Sequence, residues 1–539
     1  MPLDPDQTRR CALALVNLGA PTASADLAVV AWLDFLRIDP ALTDDGTGDR
    51  LLIGGSRSAS LAEAVRRLAD ARPGAGGISS FTSEGILGVA VGMAWGARAN
   101  GSRTVAIAPA GDVFAGSPIQ AAALAARSHL GNLVVLAADD GVDDRAEEAS
   151  EQLAAAGWLV QSVAAHDPMQ IAAALKRAQG RNRPSLIVGR FANRFAATSG
   201  APAPIPEDVR SIFAARAAEV REWRRALREG EAAESVFGGP ADAGDERPAA
   251  TPFRPRQATT PIQLATEALR ANARTVECPP VGSREQASLA CGLALLGRTP
   301  LLSAPLERVD DLRPFLRQAA RSGLSGVALL LEDGGAPAGC ARWGGGVTSP
   351  RQPPFEDEAL WSLRLIAGLT VWRPADGVEI AAACAAALDG RGPHVIALAA
   401  NLHGAIYRPR PPAPGEIERG AYVAAEAATG DPTVVVLASG AELPDAMRAQ
   451  TELEARGLAT RVVSVPCAGR LAQWPAAQVR RLLGDSVTRI VLDPGPALPW
   501  RALLGGEAVM MGGRNDVAKR VTDRLHLEAP RREARAART

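Results

Sequence analysis

The run Thr104-Val105-Ala106-Ile107, followed at once by Gly111-Asp112-Val113-Phe114, decides the fold together with the stretch Asn132–Asp144. In that second stretch Leu133-Val134-Val135-Leu136 reads as an apolar strand, and Ala137-Ala138-Asp139-Asp140-Gly141 ends it. Asp112 and Asp140 therefore each follow a predicted strand. Parallel strands joined through helices bring two such positions together at the C-terminal edge of the sheet. Hard cations and diphosphates are commonly held there, because carboxylate oxygens suit the cation and the strand ends open onto a crevice. The same two residues have a plainer reading as strand-end carboxylates that cap turns and helices.

Outward from this pair, short β-rich runs alternate with Ala-rich helical segments. Helix Ile119–Ser128, helix Ala146–Ala156, strand Leu159–Val163, helix Met169–Gln179 and strand Ser185–Val188 continue the pattern. Such alternation predicts a doubly wound parallel sheet within residues 1–228. From 229 to 261 Gly, Pro, Ala and charges occur without periodicity, as in an exposed linker. A second α/β unit is predicted over 262–406, with helix Ile262–Ala273 and strands Gly326–Leu331, Thr370–Trp372 and Val395–Ala399. Its Gly/Pro-rich section Asp333–Pro354 reads as a long loop. A third unit, 407–539, contains strand Thr433–Ala438, helix Leu443–Arg456, and strands Thr460–Val465, Ile490–Leu492 and Ala508–Met510, and ends in a basic tail.

Composition narrows the function classes. The 539 residues carry 59 Lys plus Arg against 59 Asp plus Glu, so the net charge is zero. That balance offers no electrostatic case for nucleic acid or for a membrane surface. The longest apolar runs fall far short of a bilayer span, and the first residues lack the small-residue cleavage site of a signal peptide. The six cysteines (Cys11, Cys278, Cys291, Cys340, Cys384, Cys467) form no CxxC pair and read as buried thiols of a reducing, cytoplasmic setting. Only five histidines occur, which limits the acid–base chemistry available.

Several stretches in order along the chain resemble the transketolase family. They include Gly19-Ala20-Pro21 with Ala25-Asp26-Leu27, Val91-Gly92-Met93-Ala94, Ala156-Gly157-Trp158, and His166-Asp167. Further along come Gly282-Ser283-Arg284-Glu285, Trp372-Arg373-Pro374-Ala375-Asp376, Arg419-Gly420-Ala421-Tyr422-Val423 and Ala438-Ser439-Gly440-Ala441-Glu442. The resemblance implies three consecutive doubly wound α/β domains. Two have the thiamine diphosphate-binding fold, of pyrophosphate and pyrimidine type, and a smaller C-terminal domain follows. It further implies thiamine diphosphate and Mg²⁺ as cofactors. Gly111, Asp112 and Asp140 then match the cofactor-binding Gly-Asp-Gly…Asn signature, with Asp112 and Asp140 as metal ligands. Glu285 matches the glutamate that bonds the pyrimidine ring and drives ylide formation. Read without the family, Glu285 is a first-turn glutamate favoured by the helix dipole. The resemblance also implies a homodimer, since family active sites form between the first domain of one chain and the second of the other.

This chain departs from the family at many ligand-facing positions. Val113 replaces the second glycine of the signature, and Asp140 replaces the asparagine. A β-branched residue at 113 neither tolerates unusual φ nor lets backbone N–H groups approach a diphosphate as glycine does. Family histidines correspond to Asn17, Arg57, the neighbourhood of Ser199, and Asp333-Gly334-Gly335-Ala336-Pro337. The loop over the thiamine corresponds to Phe81-Thr82-Ser83-Glu84, the stacking aromatic falls in Leu306–Val309, and the sugar-phosphate arginine corresponds to Ala400. Two functions compete. One is a transketolase-like protein unable to carry out normal ketol transfer, a pseudoenzyme kept for binding, scaffolding or regulation, paired with itself or with an intact relative. The other is an active Mg²⁺/thiamine diphosphate-dependent transferase of two-carbon ketol units between sugar phosphates.

Overall fold

The computed structural model describes residues 4–42, 48–71, 77–81, 85–115, 119–139, 145–179, 181–191, 204–233, 260–272, 274–279, 282–325, 328–333, 355–390, 392–399, 402, 405–484, 488–493, 495–504, 509–510, 517–519 and 521–523. Their strands form three sheets. The first holds β1 (Arg50–Gly54), β2 (Ile78–Phe81), β3 (Thr104–Pro109), β4 (Leu133–Asp139), β5 (Leu159–Ala164) and β6 (Ser185–Arg190), in the order β2-β1-β3-β4-β6-β5. The second holds β7 (Thr275–Glu277), β8 (Thr299–Pro305), β9 (Ala328–Asp333), β10 (Thr370–Trp372) and β11 (His394–Ala399), ordered β10-β11-β9-β8-β7. The third holds β12 (Tyr422–Ala425), β13 (Val434–Ala438), β14 (Thr460–Ser464), β15 (Thr488–Leu492) and β16 (Val509–Met510), ordered β12-β14-β13-β15-β16. Every pairing is parallel except that of β12 with β14. This is the expected three-domain α/β class.

The apolar runs explain the interior strands. Leu133–Ala138 is buried without a break, as a strand covered by helices on both faces must be. Strand and helix positions read from the pattern hold to within two or three residues. The one clear extension is helix Glu207–Ala233, which runs past residue 228 into the stretch read as linker. The predicted loop after Asp333 lies outside the described residues. Among the described residues, no helix is long and apolar enough to cross a membrane. Cys11, Cys278, Cys291, Cys384 and Cys467 are buried and form no disulfide, and burial pushes the Cys11 thiol up to about 12.

By contacts the chain divides into two units, residues 1–252 with 278–298, and residues 253–277 with 299–539. In the first unit helix Ile86–Ala97 is apolar on every side and almost wholly buried, as befits a helix packed between layers. Gly88, Gly92 and Gly96 form one of its faces and meet helix Ser283–Leu295. A Cβ on Gly92 would collide with the Leu289 carbonyl oxygen, and one on Gly292 with the Val89 carbonyl oxygen. The two backbones are thus nearly in contact.

In the second unit a buried polar cluster joins elements of the second and third sheets. Glu379 accepts from Tyr422 Oη at 2.6 Å, Ser464 Oγ at 2.6 Å, Arg408 Nη2 at 3.3 Å and the Ala375 N–H at 2.7 Å. Arg408 also donates to Asp376 Oδ2 at 2.6 Å. Burial, and then the neighbouring Asp376, holds the Glu379 carboxyl above the usual carboxylate range. Tyr422 Oη, Ser464 Oγ and the Ala375 N–H rely on that carboxyl, whereas Arg408 also keeps Asp376 and the Ile406 carbonyl.

Two outcomes follow for unfolding in urea. Glu379→Ala strands three buried donors and removes one of the two carboxylates on Arg408, and is expected to cost about 3–5 kcal/mol. Gly92→Ala forces the helix crossing apart and is expected to cost about 1–3 kcal/mol. Gly469→Ala, in a helix with nothing within 4 Å of the added methyl, is its control and should be neutral or slightly stabilising. Equal loss in both glycine variants would contradict the close-crossing account.

Candidate functional site

The candidate site lies at the C-terminal edge of the first sheet. β3 and β4 are neighbours there, with Pro109 opposite Ala138, so positions 112 and 140 follow adjacent strand ends as the spacing predicts. Asp140 and Gly141 themselves lie outside the described residues. After β3 the chain turns into the short helix Ala110–Val113, closed by the Phe114 N–H bonding the Ala110 carbonyl. Gly111 and Asp112 are half-buried in this turn, while Val113 is only 1% exposed. Valine at 113 is therefore a core side chain, and the Phe114 N–H is used within the turn, while the first-turn N–H groups of a helix have no intrahelical partner.

Asp112 is the third residue of this helix, whose N-cap is Pro109. Its carboxylate has no hydrogen bond or ion pair among the described residues. Burial alone raises its carboxyl above the usual range, with no cation offsetting the effect. The carboxylate presses on Gly55, which sits at φ +96°, and a Cβ there would lie 2.5 Å from Asp112 Oδ2. Only glycine accommodates both demands. The preceding Gly54 faces Ile86, the first residue of helix Ile86–Ala97, whose Cγ1 would lie 2.5 Å from an added Cβ.

Helix Ser283–Leu295, held by the glycine crossing, brings Glu285 to the same unit. Glu285 occupies the first turn and is half-buried. Its Oε2 lies over Gly282, where a Cβ would strike it. Gln120 Oε1, from the start of helix Ile119–Arg127, accepts the Gly282 N–H at 2.5 Å and also crowds that glycine. Sequence pattern does not single out Gln120 or Gly55. The Gly-Gly pair ending β1 was the only available signal for the latter.

The remaining family positions are dispersed. Arg57 is exposed just before helix Ser58–Leu68, and Asn17 is the exposed last residue of helix Pro5–Asn17. Leu306 is buried in a single turn after β8. Residues 82–84, Ser199 and Ala400 lie outside the described residues, as do His403 and His526. The described histidines have structural partners or positions. His166 Nδ1 pairs with Asp26 Oδ2 at 2.8 Å and meets Phe191 edge-on. His394 Nδ1 accepts from Trp372 Nε1 at 3.1 Å, and burial, then Arg470, pushes it down to about 4. His129 sits in a turn at φ +52°.

Comparisons with known proteins fit this frame. Residues 95–240 match the family model for the transketolase thiamine diphosphate-binding domain, and residues 420–516 match that for the transketolase-like C-terminal domain. The transketolase of Sinorhizobium medicae is 28% identical over 92% of this chain and 86% of its own length. The chromosomal transketolase of Cupriavidus necator is 28% identical over 94% of both chains. Among solved structures, a transketolase variant from Pichia stipitis superposes with a TM-score of 0.77 at 17% identity, over 97% of this chain and 98% of its own. The transketolase of Campylobacter jejuni gives 0.74 at 18% identity, over 96% and 97%. The order of the motifs, the three sheets and these matches together make the chain a member of the transketolase family.

Proposed function

We propose that this transketolase-family chain does not carry out ketol transfer between sugar phosphates and serves a binding, scaffolding or regulatory role. The turn after β3 carries the proposal. A diphosphate on this edge needs a close approach of the chain, which glycine allows and a β-branched residue hinders. Here Val113 stands at that position and fills the core, and Gly55 abuts the Asp112 carboxylate. Arg57, the nearest candidate to replace a lost histidine, is exposed. On this reading the described residues of the edge do not cradle thiamine diphosphate.

The competing reading is an active Mg²⁺/thiamine diphosphate transferase, with Asp112 and Asp140 on the metal and Glu285 as the catalytic glutamate. One observation favours it: the Asp112 carboxylate has no partner among the described residues, so an oxygen ligand stands free. A homodimer, or a heterodimer in which an intact relative supplies missing groups, is compatible with the scaffolding role. The buried cysteines without disulfides support a cytoplasmic setting.

Isothermal titration of thiamine diphosphate with Mg²⁺ into the purified chain separates the readings. No heat of binding is expected at millimolar ligand. Micromolar binding that Asp112→Ala abolishes would overturn the proposal in favour of the transferase.

Stability against pH gives an independent check on Asp112. Its raised native value means that the folded chain holds this proton more tightly than the unfolded chain does. The stability it contributes is present in acid and lost as pH rises past that value. Asp112→Asn removes the loss, so its Tm should exceed the parent's near neutral pH, with the gap closing towards about pH 4. A lower Tm near neutrality would instead reveal a stabilising partner for the carboxylate.

A further inference from the structure

The third sheet carries a groove apart from the cofactor edge. Its volume is about 510 Å³, within the range of sites for small organic ligands and far more than a bare oxyanion fills. Its floor is closed, because Ala421, Tyr422, Ala424 and Ala425 are all buried. The accessible lining is therefore made by side chains of the walls. Arg410, Arg419, Gln478 and Arg481 are exposed there, and Val423 and Trp474 are half-buried.

Each charge on these walls can be followed to its partner. Arg410 is paired with Glu416 at 2.7 Å, and Glu426 with Arg461 at 2.7 Å. Arg419 forms no ion pair among the described residues, although its charge reaches Glu416. Its Nη2 donates to Gln478 Oε1 at 2.8 Å, and its guanidinium lies 4.7 Å over the Trp474 ring. Trp474 Nε1 in turn donates to the Arg419 carbonyl at 2.8 Å. The side chain is thus held in place with most of its five N–H donors unused. Arg481 follows Gln478 by three residues on helix Ala476–Leu483, so the two share one face. Its guanidinium has no hydrogen bond or ion pair among the described residues. Nor is it needed at the negative end of its own helix, where Arg461 Nη1 donates to the Leu482 carbonyl at 2.7 Å. Two guanidiniums therefore stand beside one amide, neither of them salt-bridged to a carboxylate.

We propose that this groove binds a small phosphate monoester with an apolar, aromatic body. The dianionic phosphoryl group accepts from Arg419 and Arg481, whose planar forks match its oxygens. The body lies against Pro409, Val423 and Trp474, which line the rest of the volume. Binding is reversible and involves no covalent step. All the residues belong to the third domain, so the inference stands whether or not the cofactor edge is active.

The test titrates phenyl phosphate into the full chain by calorimetry. Saturable binding is expected at millimolar ligand or below. Inorganic phosphate should bind about tenfold more weakly for want of a body, and benzyl alcohol should not bind. Combining Arg419→Gln with Arg481→Gln should weaken phenyl phosphate by about tenfold or more, and Arg481→Gln alone should act in the same direction. Both positions are exposed, and an unchanged Tm verifies the fold. Phenyl phosphate should also protect Arg419 and Arg481 from phenylglyoxal, as mapped by mass spectrometry. Affinity should fall below about pH 6, where the phosphoryl group takes up a proton while the guanidiniums stay charged. No saturation at millimolar ligand, or binding indifferent to the double variant, overturns the proposal. So does protection confined to other arginines. Equal binding of inorganic phosphate would make the groove a site for the free ion, and equal binding of benzyl alcohol would make it an apolar cleft. Either outcome also overturns the proposal.

Discussion

Parallel pairing is the constraint on which this structure rests. Two parallel neighbours cannot be joined by a tight turn, so each connection crosses back through a helix. Helices then cover both faces, strands such as β4 become apolar throughout, and polar side chains are driven to the strand ends. Gly54, Gly55 and Asp112 gather on one edge for this reason. The sole antiparallel strand of the described residues, β12, lies at the margin of the third sheet.

The second unit shows what happens where helical layers bury polar groups together. Glu379 is enclosed with Asp376, yet Arg408, Tyr422 and Ser464 reach it from separate elements. Such a cluster ties the C-terminal ends of two sheets by directional bonds, where apolar packing would allow sliding. The described histidines serve packing in the same way. His394 is buried neutral against Trp372, and His166 is anchored by Asp26, so both work as frame residues.

Much of the fold was legible in the chain. The strands β3, β4, β5, β6, β13 and β14 stand out because uninterrupted β-branched and leucine runs alternate with Ala-rich helices at regular spacing. The Gly-Asp pair located the edge for the same reason. The helix through Glu207–Ala233 was legible only in part, because its last turn is written in the same Gly, Ala and Glu as a linker. The candidate site was less legible. Val113 as a core residue, Gly55 against Asp112 and Gln120 against Gly282 are contacts between segments distant in sequence. Local periodicity carries no record of them. Glycines 88, 92 and 96 formed a visible four-residue repeat, but only the opposing helix gives that repeat its meaning.

The burial of Val113 makes this position intolerant of change. Glycine there would empty a filled core site and insert the poorest ordinary helix former into a helical turn, together costing about 3 kcal/mol. One side chain thus pins the turn after β3 to the core, and any reshaping of this edge would have to begin with the residues packed around it.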